Sequence, residues 1–178
     1  MRALRVLDIG ARYGIHPSWK NFSGEVYYDL IEADSIEVKR LKKKYKNYKN
    51  IEIKNLAFGA DNEYLDLMIL NNPAMSGFVK RIDVTPRYTG PIKRQQKVKN
   101  VKKIQSISLN KYLKINKKKY DFLKLDVEGF EVVILNNGIK IFENLIGARS
   151  EVCFTKAYKS KHVKVEGTFN ALHKIFLS

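Results

Sequence analysis

Short apolar runs alternate with segments of helical periodicity along this chain, and the alternation sets the expected fold. Strands are predicted over residues 5–9, 26–32, 51–56, 64–69, 104–107, 121–126 and 148–154, and helices over 17–22, 36–45, 108–113 and 168–176, with another ending at residue 135. Strands that alternate with helices favour a parallel sheet covered by helices on both faces. The sequence therefore predicts an α/β fold, a three-layer sandwich with a mostly parallel sheet.

Polar residues at the helix ends refine these boundaries. Ser35 is a predicted cap for the helix over 36–45, whose inner face carries Val38 and Leu41. Ser108 is a predicted cap for the helix that follows it, and Gly138 is a predicted helix stop.

The pattern breaks between residues 71 and 103. Three of the four prolines lie in this segment, together with Gly77, Gly90 and many cations. We expect a basic insertion or lid over the sheet within a single domain spanning residues 1–178.

Length and composition limit the class of protein. A chain of 178 residues is long enough to bury a core, and it has no apolar run near the ~20 residues that a membrane span requires. Cys153 is the only cysteine, which excludes an intramolecular disulfide and a cysteine-based metal cluster and favours an intracellular, cytoplasmic protein.

The formal net charge of +16 has two interpretations. Basic chains often bind nucleic acids or other polyanions, and residues 42–49 interleave tyrosines with lysines as such surfaces do. Lysines beside Asn, Ile and Tyr are also typical of ordinary solvated surfaces. A nucleic acid partner is therefore compatible with the charge but not favoured by it.

The first predicted strand leads into a glycine-containing loop. Asp8 lies at the carboxyl end of the strand, where open α/β sheets hold their ligands, and Gly10 and Gly14 follow. The pattern G-x-x-x-G differs from the G-x-G-x-x-G of dinucleotide sites. It suits a nucleoside without a pyrophosphate, although an ordinary strand-to-helix turn gives the same pattern.

Polar or small residues follow the next two predicted strands as well. Glu32 ends the second strand, where a carboxylate accepts hydrogen bonds from ribose hydroxyls. Asn55, Leu56 and Ala57 end the third, where a small residue and backbone amides flank an adenine ring. A solvated glutamate and a plain turn are the structural alternatives.

Three acids follow the clearest predicted strand. Asp126 is predicted to point over the sheet edge, where it would orient an amine of the ligand or act on a second substrate. Glu128 is a candidate general base or a candidate ligand to a hard cation. Glu131 has a structural alternative as the cap of the next helix. His16, His162 and His173 have no metal-ligand spacing, and we predict no metal centre.

The order of these motifs resembles the FkbM family of S-adenosylmethionine-dependent methyltransferases. The motifs are Val6-Leu7-Asp8-Ile9-Gly10-Ala11-Arg12-Tyr13-Gly14, Ile31-Glu32-Ala33, Asn55-Leu56-Ala57-Phe58-Gly59 and, the most specific, Leu123-Lys124-Leu125-Asp126-Val127-Glu128-Gly129-Phe130-Glu131. The resemblance extends over residues 6–154. Arg12-Tyr13 and Ala33 depart from the family's usual residues.

The resemblance implies a Rossmann-like sheet, S-adenosyl-L-methionine as cofactor, and O-methylation of a hydroxyl on a sugar, glycan or small natural product. Its implied catalytic residues are Asp126 and Glu128, and its implied cofactor-binding residues are Asp8, Gly10, Ala11, Arg12, Tyr13, Gly14, Glu32, Ala33, Asn55, Leu56, Ala57 and Asp126. Methylation of RNA or another polyanion, and a nucleoside-binding domain without turnover, are the alternative functions. Because the chain ends at Ser178, we expect the last antiparallel hairpin of this fold to be absent or replaced.

Overall fold

The computed structural model describes residues 2–22, 24–81, 94–151 and 158–159. The strands, in chain order, are β1 (Leu4–Ile9), β2 (Val26–Glu32), β3 (Ile51–Asn55), β4 (Ala57–Phe58), β5 (Tyr64–Leu70), β6 (Lys80–Arg81), β7 (Val98–Ile107), β8 (Phe122–Leu125), β9 (Gly147–Ser150) and β10 (Tyr158–Lys159). The helices are α1 (Ser35–Lys44), α2 (Leu109–Asn116) and α3 (Glu131–Asn136), with short 3-10 helices at Pro17–Asn21, Pro73–Met75 and Ile139–Glu143.

Five of these strands form a parallel sheet in the order β3-β2-β1-β8-β9. The sheet and its flanking helices confirm the predicted Rossmann-like α/β fold. In a parallel sheet all carboxyl ends meet at one edge, so the ends of β1, β2, β3 and β8 lie side by side. The sequence motifs that follow these strands are thereby brought together.

Apolar side chains cover both faces of the sheet, as a parallel sheet requires. Successive strand residues point to opposite faces. On one face Leu7 and Ile9 join a core that includes residues of α2 and α3. On the other, Val6 joins a smaller core that contains Trp19. Asp8 lies on this second face, buried within the sheet.

The helix caps agree with the sequence at one helix and differ at another. Ser108 caps α2 as predicted, since its side chain accepts a hydrogen bond from the backbone N–H of Lys111. The prediction of Ser35 as the cap of α1 is wrong. Asp34 is the cap, because its extended backbone lets the carboxylate accept from Ile36 N–H, and Ser35 is already the first helical residue. Val38 and Leu41 are buried as predicted.

Strands β4, β7 and β5 form a separate, three-stranded sheet in that order. The strand predicted over 104–107 begins earlier, at Val98, and does not rejoin the central sheet. It pairs antiparallel with β5 and parallel with β4 instead. Its first four residues are exposed, so no buried alternation marked them in the sequence.

The end of the chain is described only in part. The strand predicted over 148–154 begins at Gly147 and ends at Ser150, and residues 152–157 lie outside the described part. The helix predicted over 168–176 and the expected loss of a terminal hairpin also lie outside it, as do His162 and His173. Among the described residues, no helix has the length and apolar character needed to cross a bilayer.

Candidate functional site

A cleft opens at the carboxyl edge of the central sheet, with about 680 Å³ of space between its walls, part of it open to solvent. Most of the predicted site residues line it: Gly10, Arg12, Tyr13, Glu32, Ala33, Leu56, Ala57, Asp126 and Glu128. Four of the predicted residues lie outside the lining of the cleft: Asp8, Ala11, Gly14 and Asn55. The cleft is therefore built from the ends of neighbouring strands, as the sequence predicted.

The two loop glycines are required by close packing. Gly10 has φ +82°, and a Cβ there would lie 1.9 Å from the carbonyl oxygen of Asp126, so the loops after β1 and β8 touch at this point. Gly14 has φ +86°, and a Cβ there would lie 2.2 Å from the hydroxyl oxygen of Tyr45. That hydroxyl accepts a hydrogen bond from Ile15 N–H at 3.1 Å. Ala11, between the glycines, is buried in the smaller core.

Glu32 places a buried carboxylate in the cleft wall. Glu32 is only 6% exposed, and its Oε1 accepts a hydrogen bond from Asp34 N–H at 2.7 Å. Burial raises the pKa of Glu32 above its ordinary value. Asn55 is exposed and donates to the carbonyl oxygens of Glu32 and Ala33, at 3.0 and 2.8 Å. These two hydrogen bonds join the ends of β3 and β2 outside the cleft.

Arg12 brings a positive charge to the cleft, and two acids offset it. Its guanidinium lies 3.4 Å from Asp34 and 3.6 Å from Glu37. Asp34 also accepts a hydrogen bond from Lys102 of β7 at 2.8 Å. Burial alone would raise the pKa of Asp34, but the hydrogen bonds from Lys102 and from the backbone, with the nearby cations, lower it. Tyr13, the next residue, is 67% exposed at the cleft's rim.

The acidic loop after β8 forms the floor of the cleft. Asp126 N–H donates to the carbonyl oxygen of Ile9 at 3.1 Å, which holds the loop beside β1. Glu128 and Gly129 both have positive φ, +56° and +90°, so the chain turns sharply before α3. This turn brings both Asp126 and Glu128 to the cleft.

Glu131 fixes the acidic loop from beneath. It is the first residue of α3, it is 2% exposed, and its carboxylate accepts a hydrogen bond from Val127 N–H at 2.9 Å. Burial raises the pKa of Glu131 to about 7. Hydrogen bonds to the carboxylate from the backbone N–H groups of Val127 and of Glu131 itself favour the charged form and oppose this rise. The structural alternative of Glu131 as the helix cap is wrong, because Phe130 is the cap residue and makes no side-chain cap hydrogen bond, whereas the Glu131 carboxylate binds the loop that precedes the helix.

Carboxylate oxygens of Asp126, Glu128 and Glu151 lie within 4.8 Å of one another. This spacing would admit a cation, but exposed acidic groups often cluster without one. We assign no metal to the group.

Sequence reasoning missed Lys124. Its side chain is 4% exposed, and its ammonium lies 3.0 Å from the carboxylate of Asp8 and 3.4 Å from that of Asp126. Trp19 donates its indole N–H to the other oxygen of Asp8 at 3.3 Å. Burial raises the pKa of Asp8, against the opposing effect of the Lys124 charge. The sequence shows a lysine within an otherwise apolar predicted strand, but its pairing with Asp8 depends on the register of β8 against β1, which only the structure shows.

His16 lies close to the same charges and has a structural role. Its Nδ1 accepts a hydrogen bond from Ser18 N–H at 3.1 Å, which caps the 3-10 helix at Pro17–Asn21. Partial burial, followed by the positive charges of Arg149 and Lys124, lowers the pKa of His16. The imidazole is therefore held in its neutral form as an acceptor.

β5 and the segment after it form the remaining wall of the cleft. Leu67, Ala74, Ser76, Gly77 and Phe78 line it. A Cβ on Gly77 would lie 3.1 Å from the Cβ of Glu128, so this segment passes directly over the acidic loop. Phe78 packs against Phe130 with ring centroids 5.3 Å apart. The described part of this wall carries small and apolar side chains and no cation.

A parallel sheet in the order β3-β2-β1-β8-β9 with a cleft at its carboxyl edge is typical of Rossmann-like α/β proteins. Within that class, residues 8–174 match the sequence profile of the methyltransferase FkbM domain, and the chain belongs to this family. The resemblance seen in the sequence is thereby confirmed.

A solved structure agrees with this assignment at the level of the fold. The crystal structure of methyltransferase FkbM from Methylobacillus flagellatus KT is similar to this chain with a TM-score of 0.53 and 15% sequence identity. The similarity covers 99% of this chain and 38% of that one, so the present chain spans little more than a third of its length. No curated protein matches the sequence significantly.

Proposed function

We propose that this chain is an S-adenosylmethionine-dependent O-methyltransferase domain whose acceptor is a hydroxyl of an uncharged sugar, glycan or small natural product. The observation that carries the proposal is the charge of the cleft. Among the described lining residues, Glu32, Asp126 and Glu128 are acids, and Arg12 is a cation that pairs with two further acids. In a chain of net charge +16, an acidic cleft indicates a positively charged ligand, and S-adenosylmethionine carries a sulfonium.

The buried carboxylate of Glu32 fits the ribose of this cofactor. One of its oxygens accepts from Asp34 N–H, and the other makes no hydrogen bond within the described part of the chain. A buried polar atom without a partner is costly, and two adjacent ribose hydroxyls would satisfy it. Leu56 and Ala57 give the adjoining wall the apolar character that suits an adenine ring.

The remaining predicted cofactor residues act around this wall. Tyr13 is exposed at the rim, where its ring would cover a bound nucleoside, and Ala33 leaves room beside Glu32. Asn55 would hold the ends of β2 and β3 in register. Gly10, Ala11 and Gly14 would give the loop its shape.

S-adenosylmethionine, when bound, supplies an electrophilic methyl group on a positively charged sulfur. In this proposal Asp126 binds the amine of the cofactor's methionine part, and Glu128 takes the proton from the acceptor hydroxyl. We assign the proton transfer to Glu128 because it lies against the segment near Gly77, and we assign the amine to Asp126 because Lys124 holds its carboxylate in place. Positioning of the hydroxyl in line with the methyl group would supply much of the rate.

The wall that packs over the acidic loop favours an uncharged acceptor. Its described lining residues are small or apolar and offer no cation to a phosphate, and the carboxylates of the cleft would repel one. Methylation of RNA or another polyanion remains the second candidate because of the net charge of +16. Binding of that kind would weaken steeply with added salt.

Transfer of a labelled methyl group tests the proposal. The chain is incubated with methyl-tritiated S-adenosylmethionine and either a mixture of neutral sugars and polyhydroxylated small molecules or total RNA. We expect label in the neutral mixture, and at least a tenfold slower rate for Glu128→Gln than for the control Glu143→Gln, an exposed acid outside the cleft. Label confined to RNA would replace this proposal by the second candidate. Cofactor binding without label in either sample would indicate a nucleoside-binding domain without turnover.

Two expectations about the whole chain also stay predictions. The first is a single domain over residues 1–178, with an insertion or lid near 71–103 that acts over the cleft. The second is a cytoplasmic location, which rests on the single cysteine.

A further inference from the structure

Lys124 and Asp8 form an ion pair buried beneath the cleft. Their side chains are 4% and 0% exposed, and they are register partners on β8 and β1. Neither residue lines the cleft. Buried pairs of this kind are often no more stable than an apolar pair of the same size, so stability alone does not account for it.

Both residues have further partners that fix their positions. The second oxygen of Asp8 accepts the indole N–H of Trp19 at 3.3 Å. Lys124 extends in the other direction, 3.4 Å from the carboxylate of Asp126, whose side chain is 49% exposed. A continuous path of polar contacts therefore runs from Trp19 through the pair to the floor of the cleft.

The charges along this path explain why two buried residues are needed. Lys124 alone would hold Asp126 in place but would also cancel its charge. Asp8 offsets the charge of Lys124, so that Asp126 is held and still presents a negative charge to the cleft. We propose that Asp8 and Lys124 are positioning residues that hold Asp126 for the amine of the cofactor, and that Asp8 acts on the cofactor only through Lys124. This inference rests on the proposed cofactor site.

The test separates positioning from stability. The double variant Asp8→Leu/Lys124→Met replaces the pair by apolar side chains, which buried pairs tolerate. Its melting temperature is measured by calorimetry, and its affinity for S-adenosylhomocysteine, which keeps the amine, is measured by titration. We expect a melting temperature close to that of the natural chain and a dissociation constant raised about tenfold. A natural-like melting temperature together with unchanged affinity would overturn the inference.

A second comparison begins with a substitution outside the buried pair. Asp126→Asn alters a half-exposed side chain, and we expect it to weaken S-adenosylhomocysteine binding about as much as the double variant does. Adding Asp126→Asn to the double variant should then cause little further loss, because both changes act through one group. Unchanged affinity of Asp126→Asn alone would overturn the inference even if the double variant failed to fold.

Binding by the natural chain distinguishes failure of the proposed cofactor site from failure of the positioning role. If it does not bind S-adenosylhomocysteine at all, the proposed cofactor site fails. If it binds and the variants bind equally well, the site stands and only the positioning role of Asp8 and Lys124 fails.

Discussion

The buried carboxylate of Glu131 makes the stability of this protein depend on pH near neutrality. Burial raises its pKa in the folded chain to about 7, from an ordinary value of 4.5. A carboxylate whose folded pKa is raised favours folding most when it is protonated. Its contribution is fully present below the unfolded pKa, and it is lost as the pH rises through the folded pKa.

The size of this effect follows from the difference between the two pKa values. At about 1.4 kcal/mol per pKa unit, the shift corresponds to roughly 3 kcal/mol of unfolding free energy lost between about pH 4.5 and pH 7. For a chain of this length that is of the order of 6 to 12 °C in melting temperature. Glu131→Gln removes the ionisation, and its amide oxygen still accepts from Val127 N–H.

Urea unfolding from pH 5 to pH 8.5 measures the difference. We expect Glu131→Gln to be no more stable than the natural chain at pH 5 and more stable by about 1 to 3 kcal/mol at pH 8, after allowance for the buried amide N–H₂. The exposed control Glu143→Gln should follow the natural chain at every pH. Parallel profiles for the natural chain and Glu131→Gln would refute the assignment of this pH dependence to Glu131.

Two other predictions test local structure by thermal unfolding. Gly14→Ala should destabilise the chain by about 2 kcal/mol or more, because the new Cβ would lie 2.2 Å from the Tyr45 hydroxyl oxygen and the residue would also have a strained positive φ. Gly24→Ala has a similar φ of +96°, but the space around its Cβ is open, so it should destabilise the chain by only about 1 kcal/mol. Equal losses for the two would argue against the contact. Ser108→Ala should cost about 1 kcal/mol because it removes the cap of α2, whereas Ser35→Ala should cost at most about 0.5 kcal/mol, since Asp34 caps α1. The reverse order would restore Ser35 as the cap.

The inner strands of the central sheet were predictable because most of their residues are buried. β1 carries Asp8 near its end and β2 ends at Glu32, and a short apolar run with an acid at its end does not depend on distant residues. β7 was predicted too short for the opposite reason. Its first residues, from Val98, are exposed and stabilised by backbone pairing with β5, which leaves no apolar pattern in the sequence.

The candidate site was predictable where it depends on strand ends. Glu32 ends β2 and Asp126 directly follows β8, and a parallel sheet brings such residues to one edge. The roles of Gly14 and Lys124 were not predictable in this way. A glycine is required at residue 14 because Tyr45, the residue after α1, packs against it. The role of Lys124 depends on the register of β8 against β1. Both depend on pairings between residues far apart in the chain.

The central claim is that the acidic cleft at the sheet edge binds S-adenosylmethionine. The most direct measurement is a calorimetric titration of the folded chain with this cofactor, beside Glu32→Gln and the control Glu143→Gln. The account predicts one binding site in the natural chain, the same affinity in Glu143→Gln, and a dissociation constant raised at least tenfold in Glu32→Gln. Absence of binding by the folded natural chain, or equal affinity in all three proteins, would contradict it.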